Sequence, residues 1–117
     1  MAGEGVSAAR QKGTLAESAV ARWLVRLGYA VERRALHGNA DRGDIIGVPN
    51  WTIEIKNVRT PYYQAWLREA EAERKNAGTE YTVVLHKPHG VSVDHPEEWV
   101  AVMSAGQWAA ITKALRW

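Results

Sequence analysis

The spacing of apolar residues changes character several times along the chain. From Thr14 onward, Leu15, Ala19, Val20, Trp23, Leu24 and Leu27 fall on one stripe with Gly28 just past its end, which predicts a helix of about four turns. "YAVERRA" (29–35) then alternates side by side and predicts a strand, followed by the polar loop "LHGNADRG". The apolar run 44–48, the turn residues Pro49-Asn50 and the alternating stretch 51–57 predict a hairpin. Thr60-Pro61 supplies a cap and a first-turn proline for a second helix ending at Gly78. Its Tyr62, Trp66, Ala70 and Ala77 are expected to face a sheet, and Arg68, Glu71, Arg74 and Lys75 water. "YTVVLHK" reads as a buried strand, "PHG" as a turn and "EWVAVM" as another strand. Ser104-Ala-Gly-Gln107 is a capping-box pattern opening a last helix with the stripe Trp108, Ile111, Leu115. The order αβββαββα predicts an α/β fold, a mixed central sheet flanked by helices, in one domain over 14–117 behind a flexible basic arm at 1–13.

Within the hairpin, a period of two sends Trp51, Ile53 and Ile55 to one face and Thr52, Glu54 and Lys56 to the other. A three-residue loop at Val48-Pro49-Asn50 makes facing residue numbers sum to 98 and sets Asp44 across from Glu54; a two-residue loop would set it across from Ile55. Two carboxylates so placed repel unless a proton or a divalent cation lies between them, and hard oxygen ligands favour Mg2+ or Mn2+. The adjacent lysine suits a phosphate or an attacking water. The competing reading is a solvated or paired cross-strand face of a half-exposed sheet, and spacing alone leaves both open.

Charge adds one asymmetry. The formal net charge is only +2, yet residues 1–60 hold nine Lys or Arg against six acids. A polyanionic partner on that half is compatible with this, as is an ordinary mixed surface. The chain has no cysteine, which removes disulfides and thiolate metal sites. No run approaches the ~20 apolar residues of a membrane span, and the first residues lack a signal-peptide core. These features lead to the expectation of a cytoplasmic location.

Gly43-Asp44, a nine-residue gap and Glu54-Ile55-Lys56 resemble the PD-(D/E)xK nuclease signature, with Gly43 where many members have proline. "KGTLAESAVARWLVRLGYAVERRA", "GDIIGV" and "IEIKN" together are similar to the archaeal-type Holliday junction resolvases and their phage-encoded relatives. The likeness covers roughly residues 10–60, and the remainder in element order only. It implies a restriction-endonuclease-like fold and Mg2+-dependent hydrolysis of DNA phosphodiesters, with Mn2+ able to substitute. A four-way junction would be the substrate, a homodimer the working unit, and the host cell cytoplasm the location if the protein is phage-encoded. It implies a metal site of Asp44, Glu54, the Ile55 carbonyl and Glu17, with Lys56 as the catalytic lysine. "LHGNADRG" lacks the serine that the archaeal resolvases tend to carry there.

Glu17 also fits a second role, because Thr14-Leu-Ala-Glu17 is itself a capping-box pattern. Arg10, Lys12, Arg33, Arg34, Arg42 and Arg59 are candidate DNA-phosphate contacts. Lys87 is ambiguous, the resemblance implies that Gln64 near the start of the second helix faces the site, and His37, His86, His89 and His95 show no zinc-ligand spacing. Trp23, Trp51, Trp66 and Trp108 are expected in the core rather than as base-stacking platforms. The alternatives to a resolvase are a nuclease of the same fold acting on flaps, forks or duplex, and a non-catalytic DNA-binding module.

Overall fold

The structure, a computed structural model, describes residues 8–33 and 43–116. Helix α1 spans Ala8–Arg26, α2 Tyr63–Ala77 and α3 Ala105–Ala114; the strands are β1 Glu32–Arg33, β2 Ile45–Ile46, β3 Trp51–Lys56, β4 Tyr81–His86 and β5 Val100–Val102. They form one five-stranded mixed sheet in the order β1-β2-β3-β4-β5. Among the described strands only the β3–β4 pair is parallel, and α2 is the crossover that a parallel connection needs. No helix among the described residues is long and apolar enough to cross a membrane.

Helix α1 begins earlier than the apolar stripe predicts. Ala8, Arg10, Gln11 and Lys12 are good helix formers, so the helix takes in residues 8–13, assigned by sequence to a flexible arm. Thr14 therefore lies inside a helix, and the capping-box role for Glu17 does not apply. Its buried stripe is Ala16, Ala19, Val20 and Leu24, whereas Leu15 and Leu27 point outward. Small residues at 16 and 19 let the helix lie close on the sheet. The Tyr29 N–H closes the C-terminus onto Leu24 O at 3.0 Å, across Gly28 at φ 105°.

The sheet is covered differently on its two faces. Ile45, Ile53, Ile55 and Val83 pack with α1 and Trp99 into the main core. On the other face Trp66 and Ala70 of α2 pack on Val84 in a smaller cluster. The strand period thus directs Thr52, Glu54 and Lys56, with Thr82, Val84 and His86, toward α2.

The last helix is less buried than its stripe implies. Trp108 and Leu115 are exposed, at 62% and 64%, so the expectation of a core Trp108 fails: no described element covers that face of α3. The helix is anchored by polar contacts instead. Ser104 Oγ accepts the Gln107 N–H at 3.1 Å, and the Gln107 amide both accepts from Thr82 N–H and donates to Thr82 O at 2.8 Å. Gln107 thereby satisfies β4 at a position before β5 begins to pair with it.

Candidate active site

The site begins with a departure from the ladder. Ile45 pairs with Ile53, the register in which facing numbers sum to 98, yet the Asp44 N–H also donates to Ile53 O at 2.9 Å. Two residues of one strand standing against one of its neighbour is a β-bulge, which re-aims the extra side chain. Asp44 Oδ2 then accepts the Ile55 N–H at 2.7 Å, a side chain taking the place of the strand that has ended. Gly43 makes the bend possible. Its φ is +94°, and a Cβ there would sit 2.9 Å from both Ile53 O and Thr52 Cγ2.

This hydrogen bond fixes a second group. The N–H and C=O of one residue in an extended strand point to the same side. The Ile55 carbonyl therefore faces the side on which its N–H meets Asp44.

Glu54 is buried at 8% exposure beneath α2, beside the Asp44 carboxylate. Burial foremost, then the Asp44 charge and a hydrogen bond shared with Glu73, push its carboxyl up to about 10, against the pull of Lys56. Its Oε1 is buried without a hydrogen-bond partner. In the metal-free protein Glu54 accordingly holds a proton at neutral pH, the lower-energy answer to burying several carboxyl groups together.

Lys56 Nζ lies 3.7 Å from Glu54 Oε2, 2.9 Å from Glu69 Oε1 and 5.9 Å from the Trp66 ring centre. Burial opposes its charge, but the hydrogen bond it donates to Glu69 and the neighbouring carboxyl groups of Glu54, Glu69 and Asp44 outweigh it and raise its pKa. The amine stays an ammonium.

Asp44, Glu54 and Lys56 are thus brought together. Glu17 stands on α1, whose residues pack on the opposite face of the sheet, and its carboxylate is gripped by Arg33 of β1 at 3.0 and 3.2 Å. Arg33 is therefore an ion-pair partner before it is a phosphate contact. Lys12 and Arg59 flank the end of β3, Arg10 is exposed on the first turns of α1, and Arg34, Arg42 and His37 lie outside the described residues. Gln64 is exposed on α2. His86 is buried, with Nε2 2.8 Å from Val58 O and its ring edge-on to Trp66.

Two residues escaped the sequence reading. Glu73 occupies the sheet-facing row of α2 after Trp66 and Ala70, and a carboxylate at an i, i+4, i+7 apolar position was the available signal. Glu69 carries no such mark, because its partner Lys56 is distant in sequence.

The donor set suits a hard divalent cation: two carboxylates and a backbone carbonyl, with one buried carboxylate oxygen unsatisfied. Among the described residues, the group of three metal-capable side chains with ligand atoms within 4.8 Å of one another is elsewhere, at His95, Glu97 and Glu98. All three are exposed, at the 3-10 turn Pro96–Glu98, and such acidic surface groups are common without an ion.

In comparisons with known proteins, no family model, no curated protein and no solved structure matches this chain. The resemblance to junction resolvases therefore rests on the residues themselves.

Proposed function

We propose that this protein is a metal-dependent DNA endonuclease of the junction-resolvase type, built on a restriction-endonuclease-like version of its mixed sheet. The observation that carries the proposal is the Asp44–Ile55 hydrogen bond, which sets an Asp carboxylate beside Glu54 and turns the Ile55 carbonyl to the same side. Asp44, Glu54 and the Ile55 carbonyl would hold Mg2+, or Mn2+ in its place. When bound, the cation supplies an activated water and a counter-charge for the phosphate.

The remaining chemistry belongs to the chain. Glu54 gives up its proton as the site loads, because an adjacent cation offsets the burial and the Asp44 charge that kept it neutral. Lys56, held as an ammonium, orients the attacking water and donates toward the charge building on the phosphate; it does not act as a base. To do so it exchanges the Glu69 carboxylate for the phosphate. Glu17, the further ligand that the resemblance implies, is held on the α1 side by Arg33 of β1 and would have to leave that pair and reach around the sheet edge to take part. The products follow from the resemblance: a 5′-phosphate and a 3′-hydroxyl.

A four-way junction has near two-fold symmetry and one small domain presents one site, so paired incisions call for a homodimer. Cleavage of end-labelled four-way junction, flap and linear duplex DNA with Mg2+, beside Lys56→Ala protein, tests the proposal. Paired symmetric nicks on the junction, lost in the variant, are expected. Cutting of flap or duplex in preference would make it a nuclease of the same fold with another substrate.

One observation favours a second reading. Lys56 is paired with Glu69 and Glu54 shares a proton with Glu73, so the charges are also internally satisfied, as in a non-catalytic DNA-binding module. Binding of all three DNAs with no cleavage in Mg2+ or Mn2+ would select it.

A further inference from the structure

Beyond the carboxylates, the C-terminal ends of β3 and β4 carry a pocket of a different chemistry. It measures about 40 Å³ and is lined by Lys12, Asn57, Val58, Arg59, Lys87 and His89. By the same measure a water takes ~10–15 Å³, so the space is that of a few waters or one tetrahedral oxyanion. No acid lines it. Among the described residues none of Lys12, Arg59, Lys87 and His89 is held by a carboxylate, in contrast to Arg33, Lys56 and Arg74, each of which is.

The pocket is also built, rather than a chance gathering of side chains. Asn57 Nδ2 donates to Lys12 O at 3.3 Å, tying the first turns of α1 to the end of β3. The Lys87 N–H donates to Lys56 O at 2.9 Å, extending the parallel ladder one residue past β4. These backbone ties set Lys12 and Lys87 on either side of Asn57. Three side chains with fixed positive charge and a histidine converge where a parallel pair ends, the position at which open α/β sheets receive ligands. Asn57 directly follows Lys56, its side chain turned to α1 and that of Lys56 to α2, so the pocket lies at the strand end next along the chain from the proposed site of cleavage.

We infer that this pocket is a second phosphate subsite, which binds a DNA backbone phosphate flanking the one presented to Asp44, Glu54 and Lys56. The choice of DNA and the flanking register rest on the nuclease reading; the anion chemistry of the pocket does not. Lys87 and His89, on the turn after β4, are its distinguishing members.

Fluorescence anisotropy of a labelled linear duplex in EDTA, where nothing is cut, reads the subsite apart from catalysis. Relative to the unaltered protein, the Lys87→Gln/His89→Gln double variant is expected to bind on the order of tenfold more weakly at low salt. The slope of log K against log salt is expected to be shallower by about 1, the signature of one lost phosphate contact. Arg59→Gln should act in the same direction, with circular dichroism and melting unchanged. In Mg2+ the double variant should show a raised KM for DNA and an unaltered kcat. Equal affinity and equal salt slope in both variants would overturn the subsite even if cleavage proceeds. The expected losses in EDTA with no cleavage by the unaltered protein would retain the pocket and reject the nuclease. No DNA binding by the unaltered protein would reject both.

Discussion

Asp44 Oδ2 and the Ile55 N–H meet at 2.7 Å, so a carboxylate stands in for a strand at the point where β2 leaves β3. The bond also sets that carboxylate's negative charge beside buried Glu54. Most of what distinguishes this hairpin from an ordinary half-buried one follows from that contact.

Gly43 is the first place to disturb it. In Gly43→Ala the new methyl meets the Ile53 carbonyl at a φ that side chains rarely adopt. A destabilisation of about 1–3 kcal/mol is expected, read by urea unfolding. Metal-dependent activity should fall further than stability, because the strain is relieved by moving Asp44. Unchanged stability would mean the bend is not needed.

The proton on Glu54 has a sign that can be checked. Its carboxyl is raised from 4.5 in the unfolded chain to about 10 in the fold, so between those values the folded state binds the extra proton. Stability from this group is present at low pH and is lost as pH rises toward 10. In EDTA, Tm should decline from pH 6 to pH 9, and Glu54→Gln should flatten the decline. Saturating Mg2+ should flatten it too, with a proton released on binding. A Tm independent of pH in EDTA would contradict this.

Glu69 and Arg33 hold the two groups that must exchange partners. Glu69 is half exposed, so Glu69→Gln should change stability by no more than ~1 kcal/mol. By releasing Lys56 it should tighten DNA binding in a titration at low salt. Arg33→Gln should likewise leave the fold intact while lowering the Mg2+ concentration at half-maximal activity, since Glu17 is then free to join the site. A weaker Mg2+ response in Arg33→Gln would instead place Arg33 on the DNA.

Two tryptophans, one buried and one exposed, separate core from stripe. Trp66→Ala removes a side chain only 6% exposed under the sheet, and ~3–5 kcal/mol should be lost. Trp108→Ser, at an exposed position, should stay within ~0.5 kcal/mol by the same unfolding measurement.

How much of this the chain discloses depends on whether its cause is local. Strand period put Glu54 and Lys56 on one face, and the Ile45–Ile53 register is one of the two that a short loop allowed, because both are set within a few residues. The bulge at Asp44 was not legible, since it depends on how Gly43 packs on Ile53 and Thr52. Helix periodicity located Trp66 and Ala70 but passed over Glu73 in the same row. On α3 the stripe correctly marked Trp108 and Leu115 as one face; a stripe records what is apolar and not what covers it. Arg33 drew notice as a cation, and only the fold pairs it with Glu17.

The central claim is that Asp44 and Glu54 form a cation site. Electron paramagnetic resonance of Mn2+ titrated into the unaltered protein and into Asp44→Asn protein tests it most directly. Uptake by the first that is lost in the second, and retained in Glu97→Gln/Glu98→Gln protein, is the expected result. Equal uptake by Asp44→Asn, or uptake abolished by changing Glu97 and Glu98, would place the ion elsewhere and remove the basis for nuclease chemistry at this hairpin.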